Sequence, residues 1–156
     1  LGSAEVGAAS EIRVEFGPRD EDELWADPHL LHRALVNIIR NALDAMAESD
    51  PPEGGHVLSV RSKRASGRNG RRGAWSTLVV ADTGPGMSES VVERMFNPFF
   101  TTRATGTGLG LAIVHRIGDA HGGRVEVQGH RLDGQRGAEV RLVLPGHDAA
   151  AEVEAA

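Results

Sequence analysis

The 156-residue chain contains no cysteine and no tyrosine. Without thiols there is no disulfide and no thiolate metal centre, which suits a reducing compartment. Lysine is nearly missing as well: Lys63 is the only one among 17 basic residues, so arginine carries almost all of the positive charge. No apolar run approaches the roughly 20 residues that a membrane-spanning helix needs, and no charged-then-apolar leader opens the sequence. The formal net charge of -5 has the wrong sign for a general nucleic-acid binder. Aromatic residues are scarce, and three of the four phenylalanines fall within residues 96–100. Glycine is the excess: 20 of 156 residues, about 13% against a usual share of about 7%. There is no collagen period and no low-complexity tract, so these glycines must answer specific backbone needs.

The chain opens on Leu1, Gly2 and Ser3, which reads as a cloning remnant on a fragment of a longer protein. Residues 1–9 are expected to be tag-derived or disordered. Residues 10–146 should form one domain, and the Ala/Glu-rich residues 147–156 a flexible tail. Ile12, Val14 and Phe16 alternate with charged residues and predict a half-buried strand. Asp27 before Pro28 predicts an N-cap with proline in the first turn. That helix should run to about Glu48, ahead of Pro51 and Pro52. On it Leu31, Leu35, Ile38, Ala42 and Met46 share a core face. Asn37, Asn41, Asp44 and Glu48 share a second line, which taken alone reads as a solvated face. Residues 57–63 and 76–81 predict two strands joined by a loop bearing Gly67, Gly70 and Gly73. The apolar run 78–81 suits a central strand buried on both faces. A later helix starts at Gly108 or Gly110, ends at His121 and is stopped by Gly122 and Gly123. Strands 124–128 and 138–144 pair as a terminal hairpin around Asp133 and Gly134. The layout is α+β: a two-layer sandwich with helices on one face of a mixed sheet.

Three segments carry chemistry. Asn37 and Asn41 stand one turn apart on the first long helix. The run DTGPGM (residues 82–87) directly follows the central strand, and GTGLGL (106–111) opens the later helix. A glycine-rich turn entering a helix offers free N–H groups and the positive end of the helix dipole, which suits phosphate. An asparagine amide oxygen is the hard donor that Mg²⁺ prefers. A carboxylate at the end of a buried strand can accept the exocyclic amine of adenine. No Gly-Lys-Ser/Thr P-loop occurs, and Gly106, Gly108 and Gly110 lack the spacing of the dinucleotide fingerprint.

In this order and spacing the segments resemble the catalytic ATP-binding domain of sensor histidine kinases. That domain belongs to the GHKL superfamily, together with type II topoisomerases, mismatch-repair ATPases and heat-shock chaperone ATPases. NIIRNALDA (37–45) looks like the N box, DTGPG (82–86) the G1 box, FNPFF (96–100) the F box and GTGLGL (106–111) the G2 box. The resemblance spans residues 10–145. It implies the Bergerat ATP-binding fold, a mixed five-stranded sheet behind three helices, with ATP and Mg²⁺ as cofactors. Asn41 would hold Mg²⁺ and Asp82 the adenine amine, with Ala45, Gly84, Gly86 and Met87 around the base. Thr102, Gly106, Thr107, Gly108, Leu109, Gly110 and Leu111 would surround the phosphates, under a lid over about residues 87–107. Phe96 would anchor that lid, Phe99 and Phe100 would dock on dimerisation helices or pack between lid and core, and Arg103 would face the γ-phosphate or stand as a surface charge of the lid. Asn37 stands where hydrolysing relatives carry a glutamate that activates water. An amide is no general base, which favours phosphoryl transfer to a histidine over hydrolysis.

The phosphoacceptor is not in this chain. His29, His32, His56, His115, His121, His130 and His147 show none of the family's acceptor pattern. His29 and His32 read as solvated, and His121 as an imidazole favoured by a helix C-terminus. The implied partners are a dimerisation domain of the same parent, which bears the histidine, and a response regulator. The fragment itself is expected to touch neither membrane nor nucleic acid, and to work in the cytoplasm. The alternatives are a non-catalytic nucleotide-sensing module and a GHKL serine kinase or ATPase. Residues 61–72 hold six positive charges and no acid, which reads as a solvated hairpin or a docking surface. Among the glycines, Gly84, Gly86, Gly106, Gly108 and Gly110 are expected to be hard to replace because of phosphate and lid chemistry. Gly129, Gly134 and Gly137 are expected to be ordinary turn positions.

Overall fold

The computed structural model describes residues 4–5, 11–17, 26–66, 74–97, 110–131 and 133–146. Its elements in chain order are β1 (Ala4–Glu5), β2 (Glu11–Phe16), α1 (Pro28–Ala47), β3 (His56–Ser66), β4 (Ala74–Ala81), α2 (Glu89–Arg94), α3 (Gly110–Ala120), β5 (Arg124–Gln128) and β6 (Glu139–Pro145). The sheet runs β1-β2-β3-β4-β6-β5. β2 and β3 are parallel and every other pair is antiparallel. The five strands of the expected mixed sheet are present, extended at one edge by the two-residue β1. The α+β architecture with three helices follows the sequence pattern. The sequence set no bounds for α2, whose six residues bury none of their side chains.

Alternation decides which side chains meet the helices. Val14, Leu58, Val80, Leu142 and Val125 face α1 and α3, and Leu142 is fully buried. β4 is apolar on both faces, as its run predicts: Val79, Val80 and Ala81 are all buried. On the outer face Val79 is flanked across the strands by Arg61 and Arg141. Both arginines reach the buried Glu139, at 3.9 Å and 3.1 Å respectively. Long arginine stems flanking apolar surface while their charges pair explain how that face stays dry without a third layer.

α1 begins where the sequence placed it. The Asp27 carboxylate accepts from the N–H groups of His29 (2.9 Å) and Leu30 (3.2 Å), satisfying donors that the helix itself leaves open. The seam of α1 is Ala34, Ile38, Ala42 and Met46, whereas the sequence reading put Leu31 and Leu35 on it. Leu31 packs at its margin and Leu35 stands off it, half-buried. A strict four-residue ridge with two alanines lets α1 approach α3 and the sheet closely, which bulk alone does not reveal. His29 and His32 are exposed, as expected. His121 does more than sit at a helix end. Its Nδ1 donates to the Ile117 carbonyl (2.7 Å), and its Nε2 accepts the Asp27 N–H (3.0 Å), fastening the end of α3 to the start of α1.

Leu142→Ala should lower the unfolding free energy by about 2–5 kcal/mol, and Asp27→Ala by about 1 kcal/mol. Urea titrations of both variants check this, and comparable losses would contradict the division between core and cap.

Candidate functional site

Asp82 is the first residue beyond β4, and it continues the ladder by other means. Its N–H donates to the Ala138 carbonyl (3.0 Å). Its carboxylate Oδ1 accepts from the N–H groups of Gly84 (2.9 Å) and Ala138 (3.2 Å). Both bonds fall on one oxygen, so Oδ2 is the atom left to receive a ligand donor. Burial pushes the carboxyl above its ordinary value, while the two N–H bonds and the charges of Arg131 and His56 pull it back. An acceptor held this way discriminates well, because a mismatched partner would leave it unpaired.

Thr83 points to the opposite side of that turn. Its Oγ1 accepts from Val57 N–H (3.0 Å) and lies 3.0 Å from His56 Nδ1. His56 is fully buried, and its Nε2 donates to the Ser49 carbonyl (3.1 Å). The chain leaving α1 is thereby tied through β3 to the turn after β4. Gly84 lies against α1: a Cβ there would sit 3.3 Å from the Ala45 Cβ. Gly86 has φ +75°, and a Cβ on it would come within 2.6 Å of the Gly129 carbonyl oxygen. That same oxygen accepts the Met87 N–H at 2.8 Å. The fold thus brings Ala45 against Gly84 beside the Asp82 carboxylate, with Gly86 and Met87 both held at Gly129.

The second half lies at the start of α3. A Cβ on Gly110 would stand 3.4 Å from Asn37 Oδ1 and 3.6 Å from Asn41 Nδ2. The asparagine line of α1 thus faces the N-terminus of α3, and the solvated reading holds only for its end, where Asp44 and Glu48 are exposed. Asn37 Nδ2 donates back to the Arg33 carbonyl (2.9 Å), which turns its Oδ1 toward Gly110. Leu111 buries its side chain in the core, so only its backbone could face a ligand. Phe96 packs on the core, with its ring 5.4 Å from that of His115 on α3. Phe99, Phe100, Thr102, Arg103, Gly106, Thr107, Gly108 and Leu109 lie outside the described residues, as do residues 98–107 of the lid assigned to residues 87–107.

The connection between β5 and β6 contributes more than the sequence reading allowed. Gly137 has φ +123°, and a Cβ on it would overlap the Asp82 carbonyl oxygen. It is more tightly approached than Gly84, Gly86 or Gly110, and not an ordinary turn position. Arg136 Nε donates to the Gly84 carbonyl (3.1 Å) and its Nη2 to the Asp50 carbonyl (2.8 Å), bracing the turn against the exit of α1. Sequence reasoning missed Thr83, His56, Arg131, Arg136 and Gly137. The available signal was length: residues 129–138 exceed what a tight hairpin needs, and long connections concentrate function.

The sequence profile of the histidine kinase-, DNA gyrase B-, and HSP90-like ATPases matches residues 26–148. The chain belongs to this ATPase family. It is 38% identical over 136 residues to the sensor histidine kinase ZraS of Escherichia coli O157:H7, covering 86% of this chain and 26% of that protein. The chain therefore spans about a quarter of the length of this relative. Among solved structures, the mycobacterial sensor histidine kinase MprB superposes with a TM-score of 0.69 at 30% identity, covering 88% of this chain and 83% of that one. Full-length ShkA in complex with AMPPNP superposes with a TM-score of 0.63 at 26% identity, covering 89% of this chain and 27% of that one. These similarities place the ATPase fold in its histidine kinase branch.

Because the folded carboxyl of Asp82 titrates above its ordinary value of 3.8, the folded state holds the proton more tightly than the unfolded chain. Ionised Asp82 therefore lowers stability as pH rises past that ordinary value, and fully so above its folded value. Asp82→Asn should melt at or above the wild-type temperature at pH 7, with the difference closing toward pH 3. A variant markedly less stable than wild type at pH 7 would contradict this.

Proposed function

We propose that the domain binds Mg-ATP and transfers its γ-phosphoryl group to a histidine on a separate dimerisation domain of the same parent, in two-component signalling. The observation that carries this reading is the meeting of Asn37 and Asn41 with the glycine-opened start of α3, in one helix layer with the Asp82 turn. The residues fit the nucleotide. The space above Gly110 is bounded by two amides and by the positive end of a helix, which suits phosphate with a hard cation. Asp82 supplies a buried acceptor suited to the amine of adenine, between Ala45, Gly84, Gly86 and Met87. ShkA, solved with AMPPNP, supports the same ligand class.

Asn41 would hold the Mg²⁺, which neutralises phosphate charge when bound. The chain's own part is alignment. Asp82 fixes the base, the N-terminus of α3 receives the phosphates, and Asn37 presents an amide that removes no proton from water. Phosphoryl transfer asks mainly for positioning and charge neutralisation, so such a site favours an incoming histidine nucleophile over hydrolysis. Arg103, Thr102, Thr107, Gly108 and Leu109 would complete the phosphate end, and Phe99 and Phe100 the docking to the dimerisation helices. A response regulator would receive the phosphoryl group next. No helix among the described residues is long and apolar enough to cross a membrane. The need for ATP supports a cytoplasmic setting for the domain.

Calorimetry with ATP and Mg²⁺ tests the site. Asn41→Asp and Gly110→Val should each lose affinity about tenfold or more while keeping wild-type circular dichroism. Retained Mg²⁺-dependent affinity in both would overturn the assignment. Adding the parent's dimerisation helices and radiolabelled ATP should label a histidine. An unlabelled histidine under saturating ATP would point to a nucleotide-sensing module, and steady phosphate release without it to an ATPase.

A further inference from the structure

Two side chains from elements far apart in sequence perform the same task at the same place. Arg136, between β5 and β6, donates Nε to the Gly84 carbonyl (3.1 Å) and Nη2 to the Asp50 carbonyl (2.8 Å). His56, the first residue of β3, donates Nε2 to the Ser49 carbonyl (3.1 Å) and places Nδ1 3.0 Å from Thr83 Oγ1. A carbonyl can only accept, so Nε2 carries a proton, and Nδ1 of the neutral ring receives the Thr83 hydroxyl. Thr83 and Gly84, consecutive in the Asp82 turn, are thus bridged in register to Ser49 and Asp50, consecutive in the chain leaving α1. Asp50 is exposed, and water alone would satisfy its carbonyl. An arginine held there instead gives up side-chain entropy. The place it is held is where helix and turn meet: Gly84 lies against Ala45, and its N–H is bonded to Asp82 Oδ1.

We propose that Arg136 and His56 are positioning residues for base recognition, a double bridge that fixes the span between α1 and the Asp82 turn. The inference rests on the nucleotide reading above and adds to it what lets the site prefer adenine to guanine. α1 carries Asn41 and Ala45 and the turn carries Asp82, so this span sets where the base acceptor stands relative to the phosphate end. Gly84 against Ala45, and Thr83 Oγ1 at 3.7 Å from Met46 Sδ, are contacts of little directional force. The bridges supply the direction. Discrimination depends on it. Asp82 Oδ2 would accept an adenine amine, whereas guanine presents a carbonyl oxygen at the same ring position. Only a carboxylate that cannot swing aside makes that mismatch costly. A turn free to shift would admit both bases, with a weaker bond to adenine. Neither Arg136 nor His56 has to touch the nucleotide for this.

The test compares ATP and GTP affinities, each with Mg²⁺, by calorimetry in wild type, Arg136→Met, Arg136→Lys and Thr83→Val. Hydrogen exchange at the Gly84 N–H is followed in the ligand-free proteins. Arg136 is exposed, so truncating it leaves the core intact. Arg136→Met should weaken ATP binding about tenfold while GTP affinity stays nearly unchanged. Protection of the Gly84 N–H should fall about tenfold as well. Arg136→Lys, which can still reach one carbonyl, should recover part of the ATP affinity. Thr83→Val keeps the shape but breaks the His56 bridge, and should narrow the ATP-to-GTP ratio in the same direction. If valine at 83 prevents folding, the two Arg136 variants decide. An equal loss for both nucleotides would overturn the proposal, since a smaller folded fraction acts on both alike. So would unchanged ATP affinity or unchanged Gly84 protection in Arg136→Met. Wild-type protein that binds neither nucleotide would defeat the nucleotide reading and this inference with it. That result is distinct from a failed bridge, where wild type binds ATP.

Discussion

A buried strand that ends beside water must satisfy its last polar groups, and β4 meets this demand through Asp82. Its N–H donates to the Ala138 carbonyl as if the ladder continued, and its side chain then accepts from the N–H groups of Ala138 and Gly84. Around that carboxylate the surrounding loops take their shape. Gly84 must be small to clear Ala45, Gly137 must be bare to clear the Asp82 carbonyl, and Gly86 must turn left-handed beneath Gly129. The surface we assign to adenine is thus a by-product of hydrogen-bond closure at the end of one strand. Its cost is a carboxylate whose burial works against the stability of the fold.

The phosphate end depends on a different economy. The seam of α1 uses Ala34 and Ala42 where larger residues were available, and this lets α3 come close enough for Asn37 and Asn41 to look directly onto Gly110. Two amides interior to a helix are poor helix formers, and their position becomes intelligible only when the neighbouring helix is in place. Their helix therefore serves two partners at once. Its alanine ridge meets the core, and its asparagines meet the N-terminus of α3.

Much of this was legible from the residues. Asp27 with Pro28 announced the start of α1, the LVVA run announced a strand buried on both faces, and the boxes around Asn41 and Asp82 announced a nucleotide site. What escaped was whatever depends on contacts distant in sequence. Nothing local marks Ala34 as more central than Leu35, since the sheet behind it decides. His56 looks like any histidine until Ser49 and Thr83 are brought to either side of it. Arg136 and Gly137 read as turn residues because the contacts they make exist only after β5 and β6 return to β4. The glycine excess has the same lesson: some of these positions answer to ligand chemistry, and others to the near-collision of two backbones.

The sheet has a single parallel pair, β2 with β3, and α1 lies in the connection between them. Parallel neighbours cannot be joined by a tight turn, so the chain must cross back over the sheet between them. α1 is that return path, and both asparagines ride on an element that the topology requires with or without a ligand. Substitutions can tune or abolish the site without removing the element that carries it.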